Sequence, residues 1–187
     1  MKHAARATVL LTTFLSIAPL VFSREISLSD FRLVNQDGRL IPLSDFQQKT
    51  IFLSFIYTRC PMPGMCPLQT NKMVGIQKMV NQTSQDDVVF LTVTFDPEYD
   101  TPKVLREYAG RYGADLSNWY FLTGDKAEID RLIQQVDLTY EKLSDGMIGH
   151  NMKSVIIARD GSVQQIFHGS GWEVDKIYQM IVSLTKH

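Results

Sequence analysis

Cys60 and Cys66 are the only two cysteines in the chain, and a single short loop carries both. Pro61, Pro63, Gly64 and Pro67 shape that loop. Cys66 stands directly before Pro67, a favoured first-turn residue of a helix. Its sulfur is therefore expected at the positive end of a helix, where backbone N–H groups and the macrodipole favour thiolate. Arg59 beside Cys60 is expected to push the same way. Thiolates are both redox nucleophiles and soft metal ligands, so two chemistries are open. The pair can cycle between dithiol and disulfide, or it can hold a soft ion such as Cu(I). A plain structural disulfide across so short a loop would stabilise little, because the chain-entropy contribution grows with loop length.

A third ligand would separate metal binding from redox chemistry. Beyond the N-terminal segment the chain offers His150, His168 and His187. His187 is the last residue, and His168 follows an apolar strand pattern and reads as a surface residue. His150 lies in a Gly-flanked loop, Ser144 to Met152, just ahead of a core strand. Met62, Met65, Met147 and Met152 fall in the same two loops. Their thioethers suit Cu(I), and equally they suit the gap-filling that methionine does in any core.

These residues need a scaffold, and the apolar pattern supplies one. Ile51 to Tyr57 is too apolar and too rich in β-branched and aromatic residues to be anything but a buried strand. It delivers the cysteine loop to a helix from about Pro67 to Asn81, with Met73, Ile76 and Val80 on one side. Upstream, Phe31 and Leu33 alternate into Asp37-Gly38 and out to Leu40 and Leu43, the signature of a β-hairpin. Val88 to Phe95 is a second buried strand, ending in Asp96-Pro97. Asp100 or Thr101 then caps a helix that has Pro102 in its first turn. Tyr120 to Leu122 reads as a short strand, followed by a helix from about Ala127. Ser154 to Ala158 and Val163 to Phe167 form a second hairpin about Asp160-Gly161, and Glu173 to Thr185 is the last helix. Strands joined by helices early, with a hairpin and helix late, describe an α/β fold: a central mixed sheet flanked by helices, with an N-terminal β-hairpin.

The chain has 187 residues, 44% of them apolar and 21% charged, an ordinary globular composition. Lys2, His3 and Arg6 precede an uncharged stretch, Ala7 to Ser23. This reads as a signal peptide over residues 1–23 cut after Ser23, or as an uncleaved membrane anchor. The stretch sits at the lower edge of the ~17–25 residues a spanning helix needs, and Pro19 interrupts it. Residues 24–187 then form one domain, exported to a compartment where disulfides persist. The formal net charge is −1, and losing Lys2 and Arg6 makes it more negative. No basic run follows, so nucleic acid is excluded as a partner.

Four stretches together resemble the Sco/SenC family of thioredoxin-like copper proteins. They are Phe55-Ile56-Tyr57-Thr58-Arg59-Cys60-Pro61 leading to Cys66-Pro67, Thr94-Phe95-Asp96-Pro97-Glu98-Tyr99-Asp100-Thr101-Pro102, Trp119-Tyr120-Phe121-Leu122-Thr123-Gly124, and His150 before a strand ending in Asp160-Gly161. The resemblance covers nearly all of the chain after the leader. It implies a thioredoxin-like fold in which the loop of His150 faces the cysteine turn. It also implies a copper site made by Cys60, Cys66 and His150, with Asp96 close to the thiols and supporting them. Implied too is delivery of copper to the dinuclear centre of cytochrome c oxidase subunit II, or to another copper or thiol protein. Some similar members are described instead as thiol-disulfide reductases, which would need a thiol reductant as partner. One departure stands out. The family spacing is C-x3-C, whereas five residues separate the thiols here, a loop long enough to offer Met62 or Met65 as a further ligand.

Other thiol families fit less well. A thioredoxin-type oxidoreductase places C-x2-C at its helix start and a proline before the facing strand, yet every proline here lies at or before Pro102. A peroxiredoxin would need Pro-x3-Thr-x2-Cys, and Thr58 is only two residues before Cys60. The expectation is a periplasmic, copper-binding, redox-capable protein, soluble or held to the inner membrane by its N-terminal segment.

Overall fold

Two strands at the centre of the sheet are buried at every position, and the rest of the molecule is laid around them. A computed structural model describes residues 26–83 and 85–185. The leader over residues 1–23 and His187 lie outside the described residues. In chain order the elements are β1 (Arg32–Asn35), β2 (Leu40–Pro42), β3 (Thr50–Ile56), α1 (Cys66–Val80), β4 (Val88–Thr94), α2 (Pro102–Tyr112) and β5 (Trp119–Thr123). They continue with α3 (Lys126–Gln134), β6 (Tyr140–Lys142), β7 (Ile148–His150), β8 (Lys153–Ile157), β9 (Val163–His168) and α4 (Val174–Leu184). The main sheet has the order β2-β1-β5-β4-β3-β8-β9, and β6 and β7 form a separate two-stranded sheet.

β3, β4 and β5 are mutually parallel, and β8 runs antiparallel to β3. Covered on both faces, β3 and β4 carry the near-continuous apolar runs of a buried sheet centre. The two expected hairpins form, β1–β2 and β8–β9, both antiparallel. Their turns carry Gly38 at φ 76° and Gly161 at φ 85°, a left-handed conformation that glycine adopts at no steric cost. Met73, Ile76 and Val80 are buried along α1, and Ile129, Leu132 and Ile133 along α3. The mixed sheet flanked by helices is therefore the observed architecture.

One alternative left open by the sequence is decided, and two short strands appear that it does not mark. Thr101 caps α2, its hydroxyl accepting the Val104 N–H at 3.4 Å, and Asp100 is used for something else. The segment around Leu138–Leu143 contains a strand, β6. His150 ends a strand, β7, paired with β6, where a loop was expected. The alternation over so few residues is too short to separate the two in sequence.

Topology explains why the distant residues meet. Because β3 and β4 are parallel, their C-terminal ends lie on the same edge of the sheet and release the cysteine loop and the Asp96–Asp100 turn side by side. Because β8 is antiparallel to β3, with Ser154 opposite Ser54, its N-terminal end lies on that same edge. The residues just before β8, His150 among them, are thereby brought to the cysteines.

Candidate metal centre

Cys60, Cys66 and His150 are brought together: their ligand atoms all lie within 4.8 Å of one another. Cys66 is the first residue of α1 and its side chain is fully buried. Its sulfur lies 3.6 Å from His150 Nε2. Cys60 is buried more shallowly, 9% exposed, and is the face of the site that solvent or another molecule can reach. Both cysteines are free thiols.

The imidazole is held for ligation. Its Nδ1 lies 3.0 Å from the Ile148 carbonyl oxygen. A carbonyl only accepts, so Nδ1 carries the proton, and in the neutral ring Nε2 presents its lone pair to the sulfurs. Tyr57 meets the ring edge-on, centroids 5.4 Å apart at 89°, and Phe95 packs at 4.9 Å. Phe95 in turn stacks on Tyr140, the residue opposite His150 in β6. The Tyr140 hydroxyl donates to Asp130 at 2.5 Å and lies 2.7 Å from Lys126 Nζ. The hairpin that carries the histidine is thus fastened to α3.

Thiolate is expected at both sulfurs from the sequence; the structure favours it at Cys60 and disfavours it at Cys66. Cys66 stands at the helix end, yet its hydrogen bond to Cys60 and its burial push the Cys66 thiol up. The Cys60 thiol is pushed down, chiefly by the hydrogen bond from Cys66 and further by backbone N–H groups of Met62 and Cys66. The pair holds one proton on the deep sulfur and a thiolate on the shallow one. The hydrogen bond to Cys60 and desolvation together outweigh the helix end for this buried sulfur. Arg59 does not act on Cys60 as expected. Its guanidinium turns to Asp96 at 2.6 Å and lies over the Tyr99 ring.

Asp96 is nearly fully buried and bonded to the residue preceding Cys60, so it braces the cysteine loop through Arg59. Its carbonyl also accepts the N–H groups of Tyr99 and Asp100, which closes the turn. Sequence reasoning missed the role of Asp100. Fully buried, it accepts the Thr58 N–H at 3.0 Å, the Thr58 hydroxyl and, at 2.5 Å, the Thr94 hydroxyl. Burial pushes its carboxyl up from the usual aspartate range. The signal was present: with Thr101-Pro102 forming the cap, Asp100 had no need of that role. The far side of the loop is held as well. Ser170 donates to the Gly64 carbonyl at 2.8 Å, while Lys72 of α1 donates to the carbonyls of Ser170 and Trp172.

His168 stays apart from this site, its Nδ1 2.9 Å from Lys153 Nζ. Of the methionines, Met62 and Met147 are exposed, Met65 packs against the core and Met152 is buried.

A sheet with two thiols at a strand-to-helix junction and a histidine facing them from before the antiparallel strand defines a thioredoxin-like protein with a Cys-Cys-His group. Comparison with known proteins narrows the class: the SCO1/SenC family matches residues 23–186, and the chain belongs to it. A SCO1 protein homolog of Bacillus subtilis is 30% identical over 142 residues, 74% of this chain and 72% of that one. Among solved structures, a SCO1/SenC family lipoprotein of Bacillus anthracis superposes with a TM-score of 0.78 at 25% identity, covering 88% of this chain and 97% of its own. BsSco, a member of the Sco family of cytochrome c oxidase assembly proteins in which a disulfide switch was identified, gives 0.74 at 27% identity, covering 88% and 95%. The copper-bound ScoI of Arabidopsis thaliana gives 0.70 at 24%, covering 82% and 94%, a likeness of fold.

Proposed function

We propose that this protein is an exported, copper-binding and redox-active Sco protein that holds Cu(I) on Cys60, Cys66 and His150 and hands it to a partner's thiolates. The recipient we infer is the dinuclear copper site of cytochrome c oxidase subunit II. The observation that carries the reading is the donor set. Two sulfurs and an imidazole lone pair, from segments 84 residues apart, lie within 4.8 Å of one another, and that soft combination suits Cu(I). Copper bound by the Arabidopsis relative and the oxidase assembly role of BsSco agree with it. The periplasm is the inferred location, from the leader pattern at residues 1–23. Among the described residues no helix is long and apolar enough to cross a membrane.

Anaerobic Cu(I) titration against a competing chelator tests the site. Cys60→Ser, Cys66→Ser and His150→Ala each lower the affinity by about a hundredfold or more. Equal affinity in wild type and variants would overturn the assignment. Affinity falls as the pH is lowered, because all three ligands bind deprotonated.

The sulfur charges favour a second activity at the same site, reduction of a partner's disulfide. The Cys60 thiolate attacks one partner sulfur and the partner's other sulfur leaves as thiolate. Cys66 then gives up its proton and attacks Cys60 of the mixed disulfide, releasing a partner dithiol and leaving a Cys60–Cys66 disulfide. A thiol reductant restores the dithiol. Turnover of a dithiol-linked disulfide substrate, lost in Cys60→Ser, is the measurement.

A further inference from the structure

We propose that Met62, Tyr99, Leu143 and Met147 form an apolar docking rim around the metal centre for the copper-binding domain of the recipient protein. The inference rests on the copper-transfer reading above and adds the surface that the transfer uses.

Most large apolar side chains that remain exposed are gathered at one place. Besides these four, Leu40 is the one other large apolar side chain found well exposed among the described residues, and it lies on edge strand β2. The four come from three separate segments, and contacts between those segments join them in series. Met62 is in the cysteine loop, with its carbonyl oxygen 4.0 Å from Cys60 Sγ. Arg59, next to Cys60, stacks on Tyr99 at 4.1 Å. The neighbour of Tyr99, Glu98, pairs with Lys142 of β6 at 2.5 Å. Leu143 follows Lys142, donates its N–H to the Met147 carbonyl at 2.8 Å and lies over Gly149, the residue before His150. Loop, turn and hairpin are thus joined beside Cys60 and His150.

The occupant follows from the depth of the sulfurs. Cys66 is wholly buried and Cys60 nearly so, so a ligand carried by a folded protein bonds to a held ion only if that protein's backbone rests on this rim. An apolar rim about a recessed polar centre is the anatomy of a protein interface, with methionine and tyrosine among the residues enriched there. Methionine side chains also adapt to the surface they meet. The geometry therefore fits a folded partner that presents its metal-binding loop from an apolar surface. A free thiol or small chelator needs no such surface.

The test compares two acceptors. Copper-loaded protein is mixed with the apo soluble domain of cytochrome c oxidase subunit II, or with bathocuproine disulfonate, and transfer is followed by stopped flow. Tyr99→Ser/Leu143→Ser lowers the second-order rate to the protein acceptor about tenfold, since a few apolar anchors dominate such contacts. It leaves the rate to the chelator unchanged, as Leu40→Ser leaves both. A double variant as fast as wild type toward the domain overturns the rim. Equal slowing toward both acceptors also overturns it, by assigning the residues to the metal site itself. A wild type that self-associates, with the association lost in the double variant, gives the surface to a second copy of this chain and overturns it too. If the wild type passes copper to the chelator but none to the domain, the assigned recipient falls, and the rim with it. Unchanged binding of Cu(I) in that case leaves the metal site itself standing.

Discussion

The proton held between the two sulfurs decides which of them reacts. The hydrogen bond between the two sulfurs, together with the full burial of Cys66, keeps it on Cys66 and holds the shallower sulfur as thiolate. Helix position favours thiolate at Cys66; the hydrogen bond to Cys60 and burial override it, and the nucleophile falls on the sulfur that a partner can reach. The consequence is visible in the pH profile of alkylation. Cys60 is labelled by iodoacetamide with a half-plateau near its depressed pKa of about 5, while Cys66 stays unlabelled in the native protein. Cys66→Ala removes the donor, and the Cys60 half-plateau moves up toward the ordinary thiol value of about 8.5. The profile is the informative quantity. A thiolate of higher pKa is intrinsically more nucleophilic, so the rate at any single pH changes much less than the thiolate fraction does. Mass-spectrometric mapping over pH 4–9 checks both sites. An unmoved profile in Cys66→Ala would mean that the backbone N–H groups alone hold the thiolate.

At the scale of elements, the site depends on joints between strand ends rather than on any one element. Asp100 is the main joint, a single carboxylate that ties the end of β3 through Thr58 to the end of β4 through Thr94 at the start of α2. Asp100→Ala leaves the buried partners of that carboxylate without an acceptor and destabilises the fold by about 3 kcal/mol. Thr101→Ala, one residue on, removes only a helix cap and costs about 1 kcal/mol. Urea unfolding of the two variants separates a joint from a cap; equal losses would reduce Asp100 to turn chemistry. This joint was hard to read in sequence because Thr58 and Asp100 are 42 residues apart, and only the parallel pairing of β3 with β4 brings them together. The elements themselves were legible. β3, β4, α1, α2 and both hairpins follow from apolar runs, a Thr-Pro helix start and Asp-Gly turns. The short pair β6–β7 was not, because three-residue strands carry too little alternation to register. The packing that fastens it, Tyr140 against Phe95 and Asp130, is wholly tertiary. The meeting of the two cysteines with His150 was legible from the resemblance to the Sco/SenC family together with the place of His150 before a core strand. The charge state of the sulfurs was not, since burial is a property of the folded molecule.

At the scale of the whole molecule, the proposed site draws its three donors from two segments far apart in the chain, which makes metal binding and folding one equilibrium. The unfolded chain keeps Cys60 and Cys66 close in sequence but holds His150 a further 84 residues from Cys66, so Cu(I) binds the folded state preferentially. Mass action then fixes the size of the effect. Free Cu(I) at a hundred times its dissociation constant stabilises the fold by about 2.7 kcal/mol. A domain of this size moves its melting temperature by about 2–4 °C per kcal/mol, which gives a rise of roughly 5–10 °C. His150→Ala keeps the two adjacent thiols and loses the distant ligand. Its melting temperature rises by much less at the same free Cu(I), because what remains of the site survives in the unfolded chain. Oxidation gives the contrasting result: a Cys60–Cys66 disulfide closes the same loop in wild type and His150→Ala, so its effect on melting differs between them only through the Cys66–His150 contact. Anaerobic calorimetry of both proteins, as dithiol, disulfide and Cu(I) forms, checks this. A wild type whose melting responds to oxidation but not to Cu(I) would leave the disulfide-reducing activity standing and remove the metal-carrying one.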